Sequence, residues 1–414
     1  MTPWLVLADD LTGAADCAIA FARRGAETVV TWGDGDAGAA PVLAVDADSR
    51  RLSASAAAER QCAVLAARRR PGQHLYKKID STLRGQPAAE TAALLAALRR
   101  DGSPRLALVA PAFPATGRTT EGGRVLVGGA PLEQTPLWAR DHTYPTGRLP
   151  DVLAAATLRS GVVPLDQVRR GAGPVRGIVT AALAENCDAI VCDAATEDDL
   201  RLIAEATLPL ADRLLFVGTG GLAAALARLA LPDAIPAAPV PPTRGSVLTV
   251  VGSVAEVSRA AAAHLVETGR VHAVTVAESV LRGTADPGLA QALAGRIEAA
   301  IDQGDVLVTT EYGAGSDLGH GGEVAQRLAA LVAPAARKAG GLVATGGDTV
   351  CALLAQIGVT GIRLADEVEP GVPLGVTVGA VALPIATKAG GFGSDATLAR
   401  CLDRLHQTSA EQKG

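Results

Sequence analysis

Aromatic side chains are scarce in this chain of 414 residues: three Trp, three Tyr and four Phe. With a net charge of -5 there is neither a basic groove nor a set of rings on which bases could stack, and this excludes nucleic acid as the expected partner. Long uncharged apolar runs are missing as well. None approaches the roughly 18 residues that a membrane span needs, and "MTPWLVLADD" reaches acidic residues by position nine, so a cytoplasmic protein without a membrane partner is expected. The six cysteines form no C-x-x-C and read as buried thiols, and the six histidines show no H-E-x-x-H or other ligand spacing. No residue is assigned as a metal ligand.

What the chain does have is 49% hydrophobic and 20% charged residues, enough to bury more than one core. Its recurring unit is a short apolar run, a turn bearing Gly, Asp or Ser, and a helical segment. "WLVLADDLTGAADCAIAFARRG" reads as a strand through Ala8, a turn from Asp9 to Gly13 and a helix closed by Gly25. "LLFVGTGGLAAALARLAL", "LTVVGSVAEVSRAAAAHL" and "GLVATGGDTVCALLAQIG" repeat it. This alternation predicts the α/β class, with largely parallel sheets flanked by helices. The stretch "LPDAIPAAPVPPTRGS" contains five prolines and reads as a linker. The expected division is a domain at 1–235, a linker at 236–245 and a domain at 246–414, with the active site in the cleft between the domains.

In open parallel sheets ligands bind beyond the carboxyl ends of strands, where helix N-termini present free N–H groups. Three glycine-rich turns follow apolar runs: "GTGG" at 218–221, "TGGDT" at 345–349 and "TKAGGFG" at 387–393. Glycine lets the backbone approach an anion and aim several N–H groups at it. Gly347 and Asp348 stand where a G-x-x-x-x-G-K-[ST] loop has its Lys and Ser/Thr, so "GLVATGGDT" is not that loop. Lys388 adds a positive charge beside Gly390 and Gly391. Asp348 is a candidate for Mg2+ or for a helix cap.

The first half has a different inventory. Asp9 and Asp10 end a strand in "ADDLTGAAD", Ser49 and Arg50 end another in "DADSR", "YKKIDSTLRG" follows, and Arg118 sits in "APAFPATGRTTEGG". Converging at one sheet edge, these loops combine cations for a carboxylate with acceptors for hydroxyls, which suits a polyhydroxy acid. Strand alternation from Tyr76 to Ile79 sends Tyr76, Lys78 and Asp80 to one side and Lys77 to the other, so Lys77 reads as solvated or ion-paired. "TEDD" at 196–199 reads as a capping box.

Together, "ADDLTGAAD", "YKKIDSTLRG", "PAFPATGRTT", "VGS" at 251–253, "TGGDT", "EVEPGVPLG" and "TKAGGFGSD" resemble the four-carbon acid sugar kinase family along nearly the whole chain. The resemblance implies ATP-dependent phosphorylation of the 4-hydroxyl of an acid such as D-threonate, D-erythronate or a 3-oxo-tetronate, with ATP and Mg2+ as cofactors. It implies an N-terminal sugar-acid domain and a C-terminal nucleotide domain. Substrate contacts would come from Asp10, Asp9, Arg50 and the segment Lys78, Ile79, Asp80, Ser81, with Arg118 as a further candidate. Nucleotide contacts would come from Ser253, Gly346, Gly347, Asp348, Thr349, Gly390 and Gly391, with Lys388 adding its charge.

The spelling "YKKIDSTLRG" looks like the threonate and erythronate branch rather than the 3-oxo-tetronate branch. Gln86 replaces the usual Asn, and Ala255, Ser258 and Ala261 replace a Ser-x-x-Thr-x-x-Gln pattern. The expected mechanism is in-line transfer with Asp80 or Asp10 accepting the hydroxyl proton. A 3-oxo-tetronate kinase, a nucleotide-independent sugar-acid enzyme and a non-catalytic sugar-acid sensor are the competing readings. Oligomeric state is left open, a homodimer included.

Overall fold

The structure, a computed structural model, describes all residues except 36–37, 103–104, 139–142, 186, 233–239, 242, 312–320 and 411–414. Two compact units result, one from the N-terminus to the proline-rich stretch and one from there to the C-terminus. Of the linker expected at 236–245, residues 236–239 and 242 lie outside the described residues. No described helix is long and apolar enough to cross a membrane.

The first unit runs β1 (Trp4–Ala8), α1 (Leu11–Ala22), β2 (Thr28–Trp32), β3 (Val42–Asp46), α2 (Ala54–Arg68), β4 (His74–Lys78), α3 (Pro87–Arg100), β5 (Leu106–Ala110). A small antiparallel sheet follows, β6 (Arg118–Glu121), β7 (Arg124–Val127) and β8 (Ala130–Pro131). Then come α4 (Leu149–Ala154), β9 (Ser160–Val163), α5 (Leu165–Val168), α6 (Ala172–Ala184), β10 (Ala189–Cys192), α7 (Glu197–Thr207), β11 (Leu214–Gly218) and α8 (Gly220–Ala230). The main sheet has the order β2-β3-β1-β4-β11-β5-β10-β9, every pair parallel. Helices α1, α8, α7 and α6 pack in a row, as do α2, α3 and α4. A sheet covered on both faces has strands that are apolar throughout rather than alternating, and all five residues of β1 are buried. Taking each fully buried Leu or Val out of water stabilises the fold by about 1.5–3 kcal/mol.

Local chemistry sets the element ends. Asp10 caps α1 through its carboxylate, which accepts from the Gly13 N–H, so the helix begins at Leu11, inside the stretch expected to be a turn. The reason is that an N-cap needs only one non-helical residue. Pro87 starts α3, where its missing N–H is no loss. Thr196 and Asp199 form the expected capping box at α7.

The second unit runs β12 (Val247–Val251), α9 (Glu256–Glu267), β13 (His272–Val276), α10 (Glu278–Arg282), α11 (Pro287–Ile301), β14 (Val306–Thr310), α12 (Gly321–Lys338), β15 (Gly341–Thr345), α13 (Gly347–Gln356). It ends with β16 (Val359–Glu369), β17 (Val372–Gly379), β18 (Pro384–Lys388) and α14 (Thr397–Ala410). The order β13-β14-β12-β15-β18 is parallel, and β17 and β16 continue the sheet antiparallel.

Candidate active site

In the first unit β1 lies between β3 and β4, and the chain leaves β1 on one side and returns on the other. At such a reversal the loops at the strand ends diverge and leave room for a ligand. The loops after β1, β3 and β4 carry Asp9 and Asp10, Ser49 and Arg50, and Asp80.

These residues meet. Arg50 donates from Nε to Asp9 Oδ2 (2.7 Å), from Nη2 to Asp9 Oδ1 (2.9 Å) and from Nη1 to Asp10 Oδ2 (2.6 Å), and its Nη2 lies 3.8 Å from Asp80 Oδ1. Asp10 also accepts from Thr12 Oγ1 at 2.8 Å and Gly13 N at 2.9 Å. Asp80 accepts from the Thr82 hydroxyl, from Arg84 Nε at 3.0 Å and from Arg84 Nη2 at 2.8 Å. Burial works against the charges of Asp9, Arg50 and Asp80. For Asp9 the Arg50 guanidinium wins and keeps the carboxyl below its usual range, and for Asp80 the Arg84 and Arg50 guanidiniums hold it well below. Burial likewise opposes the charge on Lys78, but the Asp10, Asp9 and Asp16 carboxylates beside it hold the ammonium above its ordinary value. Burial lowers Arg118, which also feels Asp80 and Arg84 and donates to the Thr116 carbonyl.

A side chain at Gly13 would place its Cβ 2.5 Å from Asp10 Oδ1 and 2.7 Å from Lys78 Nζ. The glycine of "ADDLTG" is therefore where a carboxylate and an ammonium close in on the first turn of α1. Tyr76 and Lys78 face α1, the tyrosine hydroxyl donating to the Thr219 carbonyl at 2.6 Å. Lys77 faces the opposite way, buried, its Nζ 2.8 Å from Glu90 Oε2 on α3. Glu90 Oε1 accepts from Ser49 Oγ (2.5 Å), and Gln61 Nε2 donates to Ser49 Oγ (3.0 Å) and the Ala8 carbonyl (3.1 Å). This layer fixes the loop that carries Arg50. Ile79 is buried, its N–H donating to the Gly218 carbonyl at 2.9 Å, and Ser81 sits half-buried in the turn that follows.

Arg50, expected to contact the acid, gives one N–H from each of its three nitrogens to Asp9 and Asp10 and so orients both carboxylates. The "GTGG" turn lies at the start of α8 in the first unit, as the expected domain bounds imply, and Asp16 Oδ2 lies 2.8 Å from where a Gly220 Cβ would stand. Arg84 was passed over among the sequence candidates; its spacing of four from Asp80 was the available signal.

In the second unit the loops after β12, β15 and β18, three adjacent parallel strands, carry Ser253, Gly346 to Thr349, and Gly390 with Gly391. Gly346, at φ +89°, is the N-cap of α13 and offers no side-chain capping bond to the first turn, where Gly347, Asp348 and Thr349 lie. Free N–H groups at a helix start favour an anion. A Cβ at Gly390 would lie 2.3 Å from Ser253 Oγ, whereas one at Gly391 would meet nothing within 4 Å. The loops thus pack tightly at Gly390 and leave space at Gly391, a cradle that fits phosphate oxygens. Asp348 is exposed in the first turn of α13, so it is not the cap. Among the described residues there is no cluster of three or more His, Cys, Asp or Glu side chains that could hold a metal alone. A single carboxylate does fit Mg2+ that is carried mainly by phosphate and water.

Lys388 is the main correction. It was expected to offer its charge to phosphate, yet its Nζ is buried and donates to Ser258 Oγ (2.9 Å) and to the carbonyls of Phe392 (2.7 Å), Ala389 (3.2 Å) and Gly390 (3.3 Å). Burial pushes it down to about 8. It shapes the glycine loop from within. Ser258, which also donates to the Gly390 carbonyl at 2.9 Å, completes that bracket. On the other side, Glu369 accepts from Thr397 and Arg400, and a Cβ at Gly371 would touch Phe392, so the turn of "EVEPGVPLG" backs the same loop.

Known proteins are similar to this chain. Residues 4–226 match the family described as sugar-binding N-terminal domain, and residues 248–398 the family described as nucleotide-binding C-terminal domain. A D-threonate kinase of Cupriavidus necator is 44% identical over 95% of this chain and 96% of its own, and a D-threonate kinase of Bordetella bronchiseptica is 36% identical over 97% of each. A crystal structure from Salmonella typhimurium LT2 shares the fold, with a TM-score of 0.81 at 23% identity over 98% of this chain and 100% of that one. With both halves matched and relatives this similar over almost their full length, the chain belongs to the four-carbon acid sugar kinase family.

Proposed function

We propose that this protein transfers the γ-phosphoryl group of ATP to the 4-hydroxyl of a four-carbon sugar acid, with D-threonate as substrate. The observation that carries the reading is the meeting of Asp9, Asp10, Arg50 and Asp80, from the ends of three neighbouring parallel strands, in a chain 44% identical to a D-threonate kinase. D-Erythronate is the next candidate, since a relative of that activity is 31% identical, and 3-oxo-tetronate kinases stand at similar distance. An ATP-consuming reaction and six free thiols suit the cytoplasm.

Phosphoryl transfer passes through a loose transition state, so the protein's work is to position reactants and balance charge. Asp10 is assigned to accept the hydroxyl proton. Its side chain keeps 19% exposure and lies next to the Lys78 ammonium. Asp80, the other carboxylate expected for that role, is held well below its normal range, is nearly surrounded by Thr82 and Arg84 donors, and is the weaker proton acceptor. It is assigned to positioning. Arg50 keeps Asp9 ionised and orients both Asp9 and Asp10. On the nucleotide side, the start of α13, Ser253 and the loop at Gly390 and Gly391 would hold the phosphates. Mg2+, held with Asp348, would supply charge neutralisation on the phosphate oxygens.

The test is ADP release with D- and L-threonate, D- and L-erythronate and 3-oxo-tetronates as acceptors. D-Threonate is expected to give the highest kcat/KM. A response with none of the acids would overturn the reading, and acid binding without turnover in ATP and Mg2+ would favour the sensor.

A further inference from the structure

The proposed reaction, on which this inference rests, needs a cation that meets the substrate's carboxylate, and the donors already committed narrow the choice. Arg50 spends three of its N–H groups on Asp9 and Asp10. Lys78 is buried behind Gly13 with Asp10 beside it, and Arg118 gives one terminal nitrogen to the Thr116 carbonyl. Arg84 differs. It fixes one edge of its guanidinium on Asp80 through Nε and Nη2, yet 42% of its side chain is exposed, against 19% for Arg50. It also feels Asp10 and Arg50 electrostatically, which places it at the border of the same cluster.

The backbone around it is specialised. Leu83 is buried yet left-handed, at φ 62°, and Gly85 follows at φ 78°, where a Cβ would lie 3.1 Å from Asp9 Oδ2. A non-glycine residue in that region costs on the order of 1–3 kcal/mol and persists where its surroundings enforce it. Here the core grips Leu83, the Leu83 N–H donates to the Asp80 carbonyl at 3.0 Å, and the turn sends the next side chain out beside the carboxylates. A guanidinium fixed on one edge has lost most of its freedom before a ligand arrives, and its planar fork suits a carboxylate.

We propose that Arg84 is the specificity-determining residue that receives the carboxylate of the substrate and so separates a four-carbon acid from the neutral polyol of the same length. Sites built to pair a polar group reject analogues that lack it, because the site is then left unpaired.

The test compares full-length wild type with Arg84→Gln and Arg84→Lys, using D-threonate and threitol as acceptors and reading kcat, KM and the thermal shift produced by the acid alone. For Arg84→Gln, KM for the acid is expected to rise roughly 10- to 100-fold. The acid-over-polyol preference should fall in proportion, and KM for ATP should stay within about twofold of wild type. Arg84→Lys should keep part of the preference, and it carries the test if the glutamine variant does not fold. A purely structural role would not move the preference. An unchanged acid KM and preference in Arg84→Gln overturns the proposal while the kinase reading stands. If wild type turns over no acid, the kinase reading fails, and the thermal shift still decides: a shift lost in Arg84→Gln supports the role of Arg84, whereas a shift retained, or absent from wild type, overturns it.

Discussion

Arg50 and Asp9 form a two-point ion pair, Nε to Oδ2 at 2.7 Å and Nη2 to Oδ1 at 2.9 Å, with the Asp9 side chain only 3% exposed. Removing Arg50 leaves Asp9 buried without its paired guanidinium. Arg50→Met is therefore expected to destabilise the protein by about 3 kcal/mol, read from urea unfolding, and to abolish turnover. Adding Asp9→Asn should recover at least part of the stability without restoring activity. Stability of Arg50→Met equal to wild type would refute the ion-pair argument.

Asp10→Asn keeps the shape of the helix cap but removes the proton acceptor. General-base loss typically costs about 10²- to 10⁴-fold in rate, and a fall in kcat of that size is expected with KM for ATP unchanged. Asp80→Asn should raise KM for the acid more than it lowers kcat. The reverse ranking of the two variants in steady-state kinetics would exchange their roles.

Gly13→Ala puts a methyl group within 2.5 Å of Asp10 Oδ1 and 2.7 Å of Lys78 Nζ. The expectation is a loss of kcat/KM for the acid of roughly tenfold or more, by analogy with small displacements of catalytic groups, while KM for ATP stays put. Normal acid kinetics in a folded Gly13→Ala protein would mean that the close approach is irrelevant to catalysis.

Gly390→Ala makes the complementary prediction for the second unit, since the new Cβ would fall 2.3 Å from Ser253 Oγ. Here KM for ATP should rise about tenfold, as displacing one charged hydrogen bond would do, and KM for the acid should not. ATP titrations of the variant decide the point.

Much of the acceptor site could be read from the sequence because it depends on short-range geometry. Two-residue alternation separates Lys78, beside Asp10, from Lys77, paired with Glu90. The strand, turn and helix pattern puts Asp9, Asp10 and Arg50 at strand ends. What escaped was side-chain direction over long sequence separations. Glu90 sits in an alanine-rich helix and nothing local marks it as the partner of Lys77. Lys388 follows a strand and precedes glycines, which suits a phosphate contact, but only the folded loop shows its ammonium turned toward carbonyls of residues 389, 390 and 392. Ser258 looked like a departure from the family pattern and proves to be its hydrogen-bond partner.

The buried Lys388 also predicts a pH dependence. Its ammonium titrates near 8 in the folded protein and near 10.5 in the unfolded chain. Between those values the unfolded state binds more protons, so stability rises with pH. The penalty is fully present below about 8 and relieved toward 10.5. Relative to Lys388→Met, wild type should gain stability across that window in chemical unfolding. A difference independent of pH would mean that Lys388 titrates alike in both states.

The buried chain of contacts from Lys77 through Glu90, Ser49 and Gln61 to the Ala8 carbonyl joins the ends of β1, β3 and β4 to α2 and α3. Opening any one of these segments breaks bonds that hold the others. In hydrogen exchange the amides of these segments should therefore exchange together, as a single cooperative unit close to global unfolding, rather than as separate mobile loops. The acceptor site would then be lost only together with the core beneath it.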